Sequence, residues 1–500
     1  MTEARWQRCV ELNTRGAELS QAGDHQAAAE TLDEAYRETF QYQDIEALIL
    51  RAAIAGNRAG VAATLGDFDG ALRWSTETIE LARGIESQAG NSYGTAAFRA
   101  NALGTRAQYL RFRSQYAEAL ADLDEAFDAL ELVTAGREHI AVSLHAIRAS
   151  VLAMSGRFQE GTAEAQSALD LAYETAPHYV PYAHMSLAEI ADSTGDQAAS
   201  TEHFRLAREL FAATNDANGE ATALLSLARL AHLGSRDDEA ERLYAAAEGL
   251  LESIGNKQQL TTCLHGRAAV AVSRGQPREA LAMLERIDAV SPVVRIATYQ
   301  VQGSAFEALG DFDNADERYH AARELAEQAG LWHTTLTTDW WWAETMIRRA
   351  TDPELYRRAL DRALPAALAA EALRHRFSPG PLRERWVALA AAPATRAAFT
   401  VIAALGEVEL AVAYIDHVTA TVSLQPSQSA ATEPLAPNEF IPLPFAASAL
   451  VGPAFPLPDL DLPPRVRVEP DVPSALDKWI DLAEQRYGFA VRSNEVIRSW

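Results

Sequence analysis

The chain has 500 residues, 48% of them hydrophobic, with 69 acidic against 44 basic side chains and a net charge of −25. That is enough apolar material for more than one compact core, while only two cysteines, Cys9 and Cys263, exclude a disulfide scaffold and a thiolate-rich zinc site. The acidic balance repels phosphate backbones, so nucleic acid is not an expected ligand, and no unbroken apolar run is long enough for a membrane span.

The first residues, Met1-Thr-Glu-Ala-Arg-Trp, lack the basic and apolar regions of a secretory signal, so a cytoplasmic location is expected. From there to residue 330, small residues recur in register eight times. Ala28, Ala71, Ala119, Gly161, Ser200, Ala240, Ala280 and Ala315 serve as anchors. Twelve positions earlier stand Gly16, Ala59, Ala107, Ala149, Ala188, Ala228, Ala268 and Gly303. Five positions earlier stand Gly23, Gly66, Ser114, Gly156, Gly195, Ser235, Gly275 and Gly310. Apolar residues repeat every three or four positions on both sides of the Gly or Ser, which predicts an amphipathic helix, a tight turn and a second helix. Asp24, Asp67, Asp196 and Asp311 directly follow a turn glycine and are placed to start the second helix by capping. A hairpin of this kind cannot bury its apolar face alone, so stacking into a solenoid follows. Most of the charge, about −21, falls on these repeats.

Residues 331–425 read as a ninth hairpin, Trp332–Ala350 and Glu354–Phe377, followed by capping helices near 381–391, 393–405 and 407–420. Pro365 is expected to bend or interrupt the second helix of that hairpin. Residues 426–473 hold twelve of the 21 prolines, interleaved with Phe440, Phe445 and Phe455, and are expected to be extended and partly packed on the helical body. In residues 474–500, Ser474 to Asp477 reads as a capping box for a helix with Leu476, Trp479, Ile480, Ala483 and Tyr487 on one face. Arg465–Val468 and Phe489–Arg492 alternate, which suggests a strand pair beside it.

The chain offers little for chemistry. Gly156 and Gly161 have phosphate-loop spacing but lack the Lys and Ser or Thr that must follow. Cys263 and His265 are two positions apart on a helix and so face in different directions, which rules out a dyad and leaves a buried thiol. No two histidines stand four apart as a metal hydrolase requires. No metal or cofactor is expected, and the chain is read as a non-enzyme. Trp340, Trp341 and Trp342 leave two readings open, packing against the next hairpin or an aromatic anchor for a partner.

The small residue in the first helix, the glycine at the turn and the alanine in the second helix resemble the tetratricopeptide repeat (TPR). The implied fold is an all-α, TPR-like solenoid, a right-handed superhelix of helical hairpins, with a Pro-rich extended segment and a small C-terminal helical element. In that family the first helices line the groove, so the resemblance selects Asn101, Gln108, Arg111, Tyr182, Glu189, Asp192, Arg229, His232, His265, Gln300 and Glu307 as partner-binding candidates. Their mixed polarity suits an extended peptide or a helix. The stretch Tyr356–Leu424, with Leu364-Pro-Ala-Ala-Leu, Arg383-Glu-Arg-Trp386 and Ala404-Leu-Gly-Glu407, is similar to segments of actinobacterial TPR proteins from conflict systems with caspase-like (CHAT/CATRA-type) proteases. No protease is encoded here. The resemblance therefore implies a scaffold or sensor that binds a partner protein or peptide, with a caspase-like protease or NTPase supplied in trans. A sensor of a small peptide or metabolite is the alternative.

Overall fold

The computed structural model describes residues 3–21, 24–65, 67–112, 115–155, 157–288, 291–374, 381–423, 465–467, 472–492 and 496–498. The chain divides into two compact units, Met1–Ile190 and Ala191–Trp500. In the first unit α1 (Glu3–Gln21) pairs with α2 (His25–Glu38), and α3 (Ile45–Thr64) with α4 (Phe68–Ala89). Then α5 (Thr95–Phe112) pairs with α6 (Tyr116–Leu130), and α7 (Arg137–Met154) with α8 (Phe158–Thr175). Helix α9 (Val180–Ser193) begins in the first unit and ends in the second, where α10 (Gln197–Ala213) follows. The remaining pairs are α11 (Ala217–Leu233) with α12 (Asp237–Ile254), α13 (Lys257–Ser273) with α14 (Pro277–Glu285), α15 (Pro292–Ala308) with α16 (Phe312–Gln328), and α17 (Trp332–Arg349) with α18 (Pro353–Arg374).

The recurring small residues have two different causes. The anchors and the residues twelve before them are buried, and at Gly161 the close approach of the two helices of a hairpin is explicit. A Cβ on Gly161 would stand 2.9 Å from the carbonyl oxygen of Ala149. Where the earlier position is glycine, the large residue four after the anchor fills the vacated space. A Cβ on Gly16 would lie 2.6 Å from Leu32 Cγ, and one on Gly303 would lie 2.9 Å from Tyr319 Cζ. These large residues are core: Leu32, Leu123, Phe204, Tyr244, Leu284 and Tyr319 are at most 4% exposed, each contributing about 1.5–3 kcal/mol of burial. The turn column is different. Gly195, Gly275 and Gly310 are exposed with φ of 82°, 73° and 74°, and a Cβ on any of them would touch nothing. They are small because the chain must turn left-handed there, not because helices approach. Ser235 adopts the same conformation at φ 56°. Gly23, Gly66, Ser114 and Gly156 lie outside the described residues.

The predicted caps form. Asp24, Asp67, Asp196 and Asp311 accept the backbone N–H groups of Ala27, Gly70, Ala199 and Asn314 at 2.8–3.4 Å, worth about 1 kcal/mol each.

Beyond the repeats the structure corrects four expectations. Pro365 does not interrupt α18, which runs unbroken from Pro353 to Arg374. Proline cannot donate to the carbonyl four residues earlier, and Arg486 Nη1 supplies that missing donor to Asp361 O at 2.8 Å. The helices expected near 381–391 and 393–405 are continuous: α19 (Pro381–Trp386) passes through a π turn, Val387–Ala391, into α20 (Ala392–Leu405). Pro393 removes one helical donor at that joint, and the π turn re-pairs the ladder around it. After α21 (Val408–Ser423), strand β1 (Arg465–Arg467) pairs in parallel with β2 (Val496–Arg498), so the second strand is not Phe489–Arg492. Phe489 and Val491 are instead buried against the helices. Between the strands α22 (Asp477–Tyr487) buries Trp479, Ile480, Ala483 and Tyr487, and Leu476, just before it, is buried as well. The capping box expected from Ser474 to Asp477 forms only in part: the Asp477 carboxylate accepts from Ser474 N, but Ser474 Oγ accepts from Leu476 N and the helix starts later, with Leu476 at its N-cap. Apart from β1 and residues 472–473, the Pro-rich segment lies outside the described residues.

Candidate partner-binding face

Side chains on successive first helices bond to one another about one repeat apart. In the second unit Arg229 Nη2 on α11 donates to Asp192 Oδ2 at 2.6 Å, and Gln259 Nε2 on α13 donates to Thr222 Oγ1 on α11 at 2.9 Å. Gln300 Nε2 on α15 donates to Thr338 Oγ1 on α17 at 2.8 Å, and Glu307 accepts from Thr345 Oγ1 at 2.9 Å and from Arg348 Nε at 2.8 Å. In the first unit Asn57 Nδ2 on α3 donates to Asn13 Oδ1 on α1 at 2.9 Å, and Arg111 on α5 donates to Ser150 on α7. Burial pushes the Arg111 guanidinium pKa down, and the Glu189 carboxylate pulls it partly back. Such rungs are strongest where charged: a hydrogen bond to an ion contributes about 1.5–3 kcal/mol.

Five of the eleven predicted groove residues, Arg111, Asp192, Arg229, Gln300 and Glu307, take part in these rungs, and mutual pairing accounts for their polarity. In the first unit Asn101 and Glu189 are exposed, Gln108 is half-buried, and Tyr182 is exposed near the start of α9. In the second unit Asp192, Arg229, Gln300 and Glu307 are half-buried rungs. His232 turns instead to its own hairpin, with Nδ1 2.7 Å from Asp237 Oδ1.

His265 is not a groove residue. It is fully buried, with Nε2 2.9 Å from Thr298 Oγ1. The Thr298 hydroxyl donates to Val294 O at 2.8 Å, so it accepts from His265 and places the imidazole proton on Nε2. Nδ1 has no partner among the described residues, and burial pushes the His265 pKa down to about 4. The neighbouring thiol of Cys263 donates elsewhere, to Tyr244 O at 3.3 Å, and burial pushes it up to about 12. The two side chains form no dyad.

Of the three tryptophans, Trp340 and Trp342 are buried and Trp341 is half-buried, so at the first two the packing reading holds. Trp342 Nε1 donates to Asp316 Oδ1 at 2.6 Å, and the Arg362 guanidinium lies over its ring at 3.4 Å. Beside them stands a feature sequence reasoning missed. Asp339 is 0% exposed. Arg323 Nε on α16 donates to it at 3.0 Å, Arg362 Nη1 on α18 at 2.9 Å and Tyr487 Oη on α22 at 3.1 Å, with Arg486 Nη1 3.6 Å away. Burial opposes the charge of Arg323, but Asp339 and Glu327 overcome it and raise its pKa. Burial, then the Asp339 charge, holds the Tyr487 hydroxyl protonated far above its usual range. One carboxylate thus ties α22 to three helices of the array. The available signal was an aspartate set against three tryptophans on a helix that otherwise buries its face.

Among the described residues no three His, Cys, Asp or Glu side chains gather at metal-binding distance, and no helix is long and apolar enough to cross a membrane.

The stacked helical hairpins and their small-residue crossings define a TPR-like α-solenoid. No protein-family model matches the sequence, and no curated protein matches it. Among solved structures, the chain is similar to the apo form of RapI, with a TM-score of 0.50 and 12% identity over 71% of this chain and 97% of that one. It is also similar to a Rap protein complexed with Competence and Sporulation Factor, with a TM-score of 0.42 and 14% identity over 70% of this chain and 99% of that one. A signal transduction ATPase with a tetratricopeptide repeat sensor, from Pyrococcus horikoshii, has a TM-score of 0.45 and 12% identity over 62% of this chain and 53% of its own. At these identities the likeness is one of fold.

Proposed function

We propose that the chain is a non-catalytic scaffold or sensor that binds a partner protein or peptide on the first-helix face of its solenoid. The observation that carries this reading is the ladder of polar rungs, above all Asp192–Arg229, Gln300–Thr338 and Glu307–Arg348. Cross-bridged first helices hold a fixed polar surface before any ligand arrives, and a surface ordered in advance loses less entropy on binding. Exposed Asn101 and Glu189, with half-buried Gln108, flank such rungs in the first unit and are the contacts assigned to the partner. The resemblance of residues 356–424 supports a finer reading, in which the partner is a caspase-like protease or an NTPase supplied in trans in a bacterial conflict system in the cytoplasm. Residues 1–330 are then the binding array and residues 331–425 its cap. Native mass spectrometry of the full chain isolated from its producing organism tests the proposal. A stoichiometric protein or peptide adduct supports it. A chain that is consistently bare, or that carries only a small metabolite, contradicts it.

A further inference from the structure

In the first unit, exposed apolar side chains also concentrate at the connections between hairpins, where they include Tyr182, predicted as a groove residue. Tyr93, Leu132, Tyr173 and Tyr182 are 44%, 48%, 58% and 47% exposed and stand on the links α4–α5, α6–α7 and α8–α9 or on the helix ends beside them. Side-chain contacts make these links neighbours. Asn91 Nδ2 donates to Leu132 O at 2.7 Å, and the His139 ring lies 5.2 Å from that of His178. His178 in turn lies 4.3 Å from Tyr179, which is 6.3 Å from Tyr182. His139, His178, Tyr179 and Tyr182 thus form a line of rings, and Tyr93, Leu132 and Tyr173 stand on the same or neighbouring links, a ridge rich in exposed apolar side chains.

Charge and an internal precedent say what covers it. Asp128, Glu131, Glu138, Asp170 and Glu174 are exposed along the same connections and helix ends, opposed there by Arg137. On the preceding link, between α2 and α3, the exposed ring of Phe40 already holds a guanidinium, that of Arg51, 4.1 Å from its centroid. Among the described residues no cation stands over Tyr93 or Tyr173. We infer that this ridge is a docking surface for an arginine-bearing segment of a partner protein, whose guanidinium groups stack on the exposed rings while the surrounding carboxylates neutralise them.

The probe is a labelled twelve-residue Arg-Gly-Ser repeat peptide, titrated by fluorescence anisotropy against the full chain at physiological salt, with a Glu-Gly-Ser peptide as control. The arginine peptide should bind and the glutamate peptide should not. Tyr93→Ser combined with Tyr173→Ser should weaken binding about tenfold, the size expected for losing two cation–π contacts. Glu131→Lys with Glu174→Lys should weaken it further and flatten its salt dependence. Reversing charge in the second unit, at Asp237 and Asp238, should leave it unchanged. Circular dichroism confirms that each variant keeps its helical content. Binding that survives both ridge variants, or falls equally with the Asp237 and Asp238 reversal, would show diffuse attraction to an acidic chain and overturn the inference, as would no binding to the natural chain.

Discussion

Asp339→Asn keeps the shape of the buried carboxylate and removes its charge, which tests whether one side chain fastens the C-terminal helix. Three guanidinium groups surround it, those of Arg323, Arg362 and Arg486, with side chains 17%, 22% and 14% exposed. Removing one partner from a buried ionic group costs about 3–5 kcal/mol when the stranded charge finds no other. Each arginine here keeps a second partner. Arg323 reaches Glu327 at 2.9 Å, Arg362 stacks on Trp342 at 3.4 Å, and Arg486 donates to Asp361 O at 2.8 Å. The loss should therefore sit at the low end, about 3 kcal/mol, which corresponds to an opening of α22 on the order of a hundredfold more frequent. A repeat array opens in parts, so a global melt would blur this effect. Amide hydrogen exchange reads it locally. Residues 477–487 should exchange about a hundredfold faster in the variant, while α11 and α12 remain unchanged. Unchanged protection of α22 would refute the claim that Asp339 holds it.

Further expectations rest on single sites. His265 has a folded pKa of about 4 against an ordinary 6.5, so the unfolded chain binds the extra proton first as pH falls. Stability from this site is complete above pH 6.5 and declines toward pH 4 by roughly 3 kcal/mol. Urea titrations across that window should show a shallower pH slope for His265→Gln, and an identical slope would contradict the burial argument. Gly303→Ala should destabilise by about 1–3 kcal/mol, because its Cβ would press on the buried Tyr319 ring, and a neutral urea midpoint shift would count against the crossing geometry. Ser235→Gly should instead stabilise by about 0.5–1 kcal/mol in the same assay, since serine is strained at positive φ. A double-mutant cycle on Asp192 and Arg229, both replaced by alanine, should return a coupling of about 1–2 kcal/mol; additive single effects would mean that the rung adds no rigidity.

Local features were legible because they depend on neighbours in the chain. Hairpin spacing, the aspartate caps and the apolar face of α22 all follow from patterns within one or two helical turns. The turn column was legible too: a glycine between two amphipathic runs reads as a tight turn, and the positive φ of Gly275 and Gly310 agrees. The rungs were half legible. Gln300 and Thr338 are 38 residues apart, close to one repeat, so superimposing the repeats would have brought them together. Tyr487 and Asp339 are 148 residues apart, and no periodicity links a terminal helix to a position inside the array. His265 shares the first-helix placement and polarity of the other groove candidates, and its burial against Thr298 on the next first helix is not visible in that pattern. Pro365 follows the same logic, since the donor that restores its helix lies in the distant Arg486.

The central claim is that partner recognition belongs to the first-helix face. It is tested most directly by quantitative capture from native lysate, comparing the natural chain with Gln108→Glu combined with Glu189→Arg. A control with reversed charge on second helices, at Glu202 and Glu209, fixes the background. The natural chain and the control should capture one partner stoichiometrically, and the face variant should lose at least tenfold. Equal capture of that partner by all three would contradict that claim.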